Sequence, residues 1–196
     1  MPSQSVKLFP VVKQELSPVL KSAIGPDQFA YKEGCNTTLA LLTCHHHWLK
    51  WLDRTTDFVR VFSFDFSKAF DSVPHTIVCN KLMSLNINPY VINWIVSFLS
   101  NRKQRVVVDG FVTEFANNFA RYCPRAHIVL HYVSDIRPVY QEPNLLLKYA
   151  DDLTQSVPVS AHKDHSFIEV DSIQHWVVRN YMKLLEWYFP CYCYGF

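Results

Sequence analysis

Two acidic stretches carry the chemistry open to this sequence. The first is Tyr149-Ala150-Asp151-Asp152, set between the apolar Leu145-Leu146-Leu147 and an alternating run from Leu153 to Val159. Two carboxylates at one sharp bend repel each other, more strongly where water is excluded, and a divalent cation between them relieves the repulsion. Hard carboxylate oxygens suit Mg²⁺, which keeps several waters and leans on one or two carboxylates plus substrate phosphates. Taken alone, the pair fits a solvated turn better, because Asp is a favoured turn residue. The second stretch, Phe64-Asp65-Phe66-Ser67-Lys68-Ala69-Phe70-Asp71, shifts that balance. It continues Phe58-Val59-Arg60-Val61-Phe62, a β-rich run that reads as a buried strand and puts Asp65 at or near its end. No local structural need accounts for an Asp there. If this strand pairs beside the Tyr149 hairpin, Asp65 and Asp151 share metals from opposite sides, the carboxylate arrangement of two-metal phosphoryl transfer.

The elements that must position these carboxylates are readable around them. Residues 8 to 23 have helical spacing, with Pro18 expected to divide them into two short pieces. After the turn Gly25-Pro26-Asp27, Asn36 or Thr37 caps a helix to about Asp53, with Leu39, Leu42, His46, Leu49 and Leu52 as its apolar face. Pro74 and Pro89 each open a helix, the second with Val91, Ile92, Ile95, Val96 and Leu99 inward. Asp109-Gly110 between two valine-rich and phenylalanine-rich runs signals a hairpin. The cluster Arg102-Lys103-Gln104-Arg105 before it fits phosphate contact or a solvated face. Asp164 fits a cap for a last helix with Phe167, Ile168, Ile173, Trp176, Val177 and Met182 as its apolar set. Strand, helices, hairpin and helix in this order give an α+β fold, an antiparallel sheet with helices packed on one face.

With these residues in place, the chain resembles the reverse transcriptase domain of non-LTR (LINE-type) retrotransposons. The resemblance rests on FDFSKAFDSVPH at 64 to 75 and KYADDL at 148 to 153. Further echoes are GPDQFAYKEGCNTT at 25 to 38, SFLSNRKQRVVVDG at 97 to 110 and RNYMKL at 179 to 184, so it spans roughly residues 8 to 184 in order. It implies a polymerase palm (about 58–184) with partial fingers (about 1–57), no thumb, and a divergent tail at 185–196. It implies attack of a DNA primer 3′-hydroxyl on a deoxynucleoside triphosphate, copying an RNA template. Asp65 and Asp151 would hold two Mg²⁺ or Mn²⁺ ions, and Asp152 would support them. Phe70, Phe66 and Tyr149 would line the nucleotide, with Phe70 excluding a 2′-hydroxyl. Gln28, Arg102, Lys103 and Arg105 would touch nucleic acid.

The sequence also departs from that family. The chain begins downstream of the family's first fingers motifs, whose basic residues hold the triphosphate. Where active members carry Gly-x-Pro-Gln-Gly-Ser/Thr, residues 117 to 127 read Asn-Asn-Phe-Ala-Arg-Tyr-Cys-Pro-Arg-Ala-His, with neither glycine nor glutamine. Glycine allows backbone to approach a ligand closely, so its loss bears on the nucleotide pocket. The break, at nearly constant length between matching flanks, reads as a reading-frame disturbance or decay. A basic strand after Leu184 is replaced by the aromatic end Trp187-Tyr188-Phe189-Pro190-Cys191-Tyr192-Cys193-Tyr194. A formal net charge of +2 over 196 residues is small for gripping a duplex, whose phosphates supply most of the affinity. These departures set an impaired polymerase against a catalytically dead relic of one. Six scattered cysteines form no Cys-x-x-Cys pair, and Cys44-His45-His46-His47 points its side chains about 100° apart on a helix, so neither predicts a metal site. No apolar run reaches the 18 or so residues of a membrane span and no signal-peptide core opens the chain, which predicts an intracellular protein.

Overall fold

The computed structural model describes residues 3–54, 56–67, 74–99, 103–104, 107–114, 116–117, 129–161, 163–185 and 191–194. Its centre is a five-stranded antiparallel sheet. Strand β1 is Phe58–Phe66, and the short ribbon strands β2 (Lys103–Gln104), β3 (Val107–Val108), β4 (Phe111–Val112) and β5 (Ala116–Asn117) stand apart from the sheet. The acidic hairpin is β6 (Leu145–Tyr149) and β7 (Asp152–Val159), and β7 lies between β6 and β1. The other edge of β1 takes β8 (Leu184–Leu185) opposite Asp65 and Phe66, and β9 (Cys191–Tyr194) opposite Phe58 to Val61. The aromatic end of the chain thus closes the sheet edge as a strand, its alternating tyrosines and cysteines suiting a pleated ribbon.

Alternation along β1 decides which side each residue serves. Phe62, Phe64 and Phe66 point into the main core with Leu153 of β7. That core is covered by α1 (Ser3–Ala23), α3 (His75–Met83), α4 (Pro89–Leu99), a helical segment at 129–132 and α5 (Ser166–Arg179), which contribute Leu20, Leu82, Ile95, Tyr132 and Ile173 among others. Val59 and Val61 point the other way, onto Trp51 of α2 (Thr37–Leu52). Helices therefore cover both faces, not one. On the second face α2 reaches only the end of β1 near Val59 and Val61, and beyond it Ser63 and Asp65 lie exposed.

Several local expectations are revised by packing. α1 runs unbroken through both Pro10 and Pro18. Val12, Leu16 and Leu20, four residues apart, are all buried. At about 1.5–3 kcal/mol each, they offset much of the roughly 3 kcal/mol that each interior proline costs. α2 is capped by Asn36, whose Oδ1 accepts the Leu39 N–H at 2.8 Å, but it buries the opposite face to the one expected. Ala40, Cys44 and Trp51 face the sheet, while Leu39, Leu42 and Leu49 are exposed. Small residues at 40 and 44 let the helix approach β6, and the two indoles fill the space that opens beyond. In α5, Phe167 and Ile168 are exposed, and the buried positions are Ser166, Glu169, Val170, Ile173 and Val177. Asp164 stands one residue before the N-cap, accepting the Ser166 N–H and pairing with Arg60 at 2.8 Å. The Asp109-Gly110 hairpin forms as expected, with φ of 48° and 83° at the two turn residues. Among the described residues, no helix is long and apolar enough to cross a membrane.

Candidate active site

The three acidic residues meet at one end of the sheet. β6 and β7 are joined by a two-residue loop, Ala150-Asp151, closed by the pairing of Tyr149 with Asp152. Ala150 has φ of 57°, the left-handed first loop position that glycine usually fills in such hairpins. On the other side of β7, Phe64 faces Leu153, and one step further the same register sets Asp65 against Asp152. Period-two alternation puts Tyr149, Asp152 and Asp65 on one face, where α2 reaches Tyr149 while Asp152 and Asp65 are exposed.

The electrostatics agree with that convergence. Burial holds the Asp151 carboxyl above its ordinary pKa, partly offset by a backbone hydrogen bond, and the charge of Asp65 raises it further. Asp152 is raised first by burial, then by the charges of Asp151 and Asp65. The charge of Asp65 bears on both neighbours, and hard carboxylate oxygens are the donor type that suits Mg²⁺, which takes one or two carboxylates and completes its shell with water and phosphate oxygens. Among the described residues, no group of three or more His, Cys, Asp or Glu is placed so as to hold a metal ion by itself.

Tyr149 is half-buried and packs with Ala40, Cys44 and Leu147, joining the hairpin to α2. Phe66 does not reach the open face. It is 2% exposed, lies in the main core and its ring rests 6.1 Å from that of Trp176. As an even-numbered position on β1 it must point away from Asp65, so a role lining a nucleotide is withdrawn. Phe70, Arg102 and Arg105 lie outside the described residues. Lys103 is placed as a ribbon residue opposite Asn117, away from the acidic trio's sheet.

Gln28 is also moved from its expected role. It is 2% exposed and spends its carboxamide inside the protein. Its Oε1 accepts the N–H groups of Ala30 and Ala150, both at 2.9 Å, and its Nε2 donates to the Ala150 carbonyl at 3.0 Å. This leaves no surface for a nucleic-acid contact and makes the residue part of the acidic turn's support.

That support extends through residues the sequence reading passed over. Segment 27–29 lies parallel to β6, with Lys148 N–H donating to Asp27 O at 2.8 Å and Phe29 N–H to Lys148 O at 2.9 Å. The Lys148 ammonium is 1% exposed; it pairs with Asp27 at 2.8 Å and donates to the carbonyl of Ile136 at 2.8 Å. Burial pulls its pKa down, and Asp27 opposes the fall. Arg137 holds the same Asp27 oxygen at 2.8 Å. A Cβ on Gly25 would come within 2.2 Å of Asp27 Oδ1, so only glycine fits beside this network. From the other end, Glu169 is buried in α5. It accepts N–H bonds from Val139 and Tyr140 at 2.8 Å and from the Asn144 amide at 2.6 Å, fixing the loop that feeds β6. The readable signals were a lysine inside Leu-Leu-Leu-Lys-Tyr and a glutamate between apolar helix positions, since a buried charge demands partners.

No family model matches the chain, and no curated protein does. Among solved structures, the fold is similar to that of an apo telomerase from Candida tropicalis truncated from its C-terminal domain. The TM-score is 0.57 at 13% identity, covering 97% of this chain and 44% of that one. The chain thus spans less than half the length of that structure, and at this identity the likeness is one of fold: mixed helices and an antiparallel sheet.

Proposed function

We propose that this chain is the palm, with part of the fingers, of an RNA-directed DNA polymerase of the LINE retrotransposon type, weakened in activity. The observation that carries the reading is the meeting of Asp65, Asp151 and Asp152 at one end of a sheet. The telomerase-like fold supports a polymerase-like, nucleic-acid-binding protein at a coarse level, and the two sequence motifs that bear these carboxylates support the LINE lineage.

In this reading Asp65 and Asp151 hold two Mg²⁺ ions, with Asp152 beside them. Bound there, such ions would supply activation of a primer 3′-hydroxyl and charge stabilisation for the leaving pyrophosphate. The protein's own part is positional. β1 and the hairpin bring carboxylates from opposite sides to one point, and Tyr149 anchors that hairpin on α2.

A second reading, a catalytically dead relic, is favoured by one specific observation: residues 117 to 127 contain no glycine and no glutamine where the resembled family builds its nucleotide pocket. Primer extension on poly(rA)/oligo(dT) with Mg²⁺ or Mn²⁺ separates the two. Extension by the purified chain that vanishes on combining Asp151→Ala with Asp152→Ala supports the polymerase. A folded chain that extends nothing with either metal supports the relic.

A further inference from the structure

We infer that Gln28 is the positioning residue of the acidic turn, its carboxamide setting where Asp151 stands relative to Asp65 by holding the Ala150 peptide. The inference rests on the carboxylate-site reading above and deepens it. Three observations carry it. Ala150 adopts a left-handed φ of 57° that its Cβ disfavours, so the turn needs support from outside the hairpin. Gln28 supplies that support by gripping both ends of one residue: it accepts from the Ala150 N–H and donates to the Ala150 carbonyl. The grip is itself anchored, because Gln28 also accepts the Ala30 N–H and follows Asp27, which Lys148 and Arg137 hold in place.

The chemistry of the residue is specific. A carboxamide presents an acceptor and a donor on two neighbouring atoms of one planar side-chain end. Glutamate would keep the two accepted bonds but set oxygen against the Ala150 carbonyl. Leucine keeps the volume and loses all three bonds. Since Ala150 immediately precedes Asp151, releasing its peptide frees the carboxylate to swing while the strands on either side stay paired. Groups that orient a metal ligand without touching the metal typically change metal affinity 10- to 100-fold when removed.

The test compares wild type, Gln28→Leu and Gln28→Glu by amide hydrogen exchange and by Mn²⁺ binding followed through water-proton relaxation. A double variant, Asp151→Asn with Asp152→Asn, defines binding at the site. In Gln28→Leu the Ala150 amide is expected to exchange at least tenfold faster. The Asp57 amide, bonded to Val159 O at the far end of the sheet, should keep its wild-type rate, and Mn²⁺ should bind about tenfold more weakly. Gln28→Glu should keep Ala150 protected yet still weaken Mn²⁺, because only the bond to the carbonyl is lost. Unchanged exchange at Ala150 overturns the inference. So does acceleration shared equally with Asp57, which would mark a role in global stability alone, and so does unaltered Mn²⁺ affinity in a variant whose turn has loosened. A wild-type chain that binds no Mn²⁺ overturns the catalytic reading instead, and the exchange arm then decides alone whether Gln28 holds the turn.

Discussion

Replacing Asp152 with asparagine should make the protein more stable and less responsive to Mg²⁺. Asp65 and Asp152 stand opposite each other one step beyond the Phe64–Leu153 pair, and facing side chains on neighbouring strands begin about 5 Å apart. Two unit charges at about 5 Å repel by roughly 0.8 kcal/mol in water. Both side chains are exposed, so counter-ions trim this value, while Asp151 adds a second repulsion. The expected gain is about 0.5–1 kcal/mol, or roughly 1–4 °C in Tm for a chain of this size. The pH dependence carries the sign. Because the folded state holds Asp151 and Asp152 above their ordinary pKa, it binds more protons than the unfolded chain between the ordinary and raised values. Stability is therefore greatest below the ordinary carboxylate range and falls as pH rises through that window. Asp152→Asn should flatten this descent. Mg²⁺ supplied at about ten times its dissociation constant should stabilise wild type by about 1.4 kcal/mol and the variant by much less. Thermal unfolding at neutral pH, in low salt, in about 1 M NaCl and with Mg²⁺, measures all of this. The Asn gain should shrink at high salt. A variant less stable than wild type, or one stabilised equally by Mg²⁺, would refute the idea that these carboxylates share one electrostatic site.

Glu169→Gln should lower stability by about 2–3 kcal/mol, since an amide nitrogen must then face a backbone N–H that the carboxylate now accepts, and hydrogen bonds to charged groups are worth roughly 1.5–3 kcal/mol. Urea unfolding reads this as a fall in midpoint at constant slope, and a change under about 0.5 kcal/mol would contradict the assigned bonds. Gln155 is fully buried and neither of its amide atoms has a hydrogen-bond partner among the described residues, so Gln155→Leu should raise stability by about 1–3 kcal/mol. The same titration checks it, and a loss of stability would mean that the amide has a partner after all.

What could be read from the sequence divides by range. The Asp109-Gly110 hairpin was legible because two adjacent residues that tolerate positive φ are enough to specify it. The Asp65 strand was legible because four β-formers among the five residues from Phe58 to Phe62 leave little alternative. α2 was located and capped correctly, yet its buried face was not, because leucines and tryptophans both recur at helical spacing. The sheet chose the side whose small Ala40 and Cys44 admit close approach. Phe66 was misplaced for a similar reason: its neighbours suggested a site, whereas strict alternation from Asp65 sends it into the core.

The candidate site divides in the same way. Its chemistry is written locally, in residue types at a bend and at a strand end, and so Asp65, Asp151 and Asp152 stand out. Its alignment depends on a glutamine 122 positions away from the peptide it holds, and on a lysine and an aspartate that bind the two segments together. Of these only the lysine, set inside an apolar run, leaves a local mark, and that mark does not name its partner. A chain could keep both acidic motifs intact and still lose the turn through a change at Gly25, Asp27 or Gln28. Under the proposed polymerase reading, intact carboxylates name the reaction, and the condition of the Gln28 support decides whether they are aligned for it.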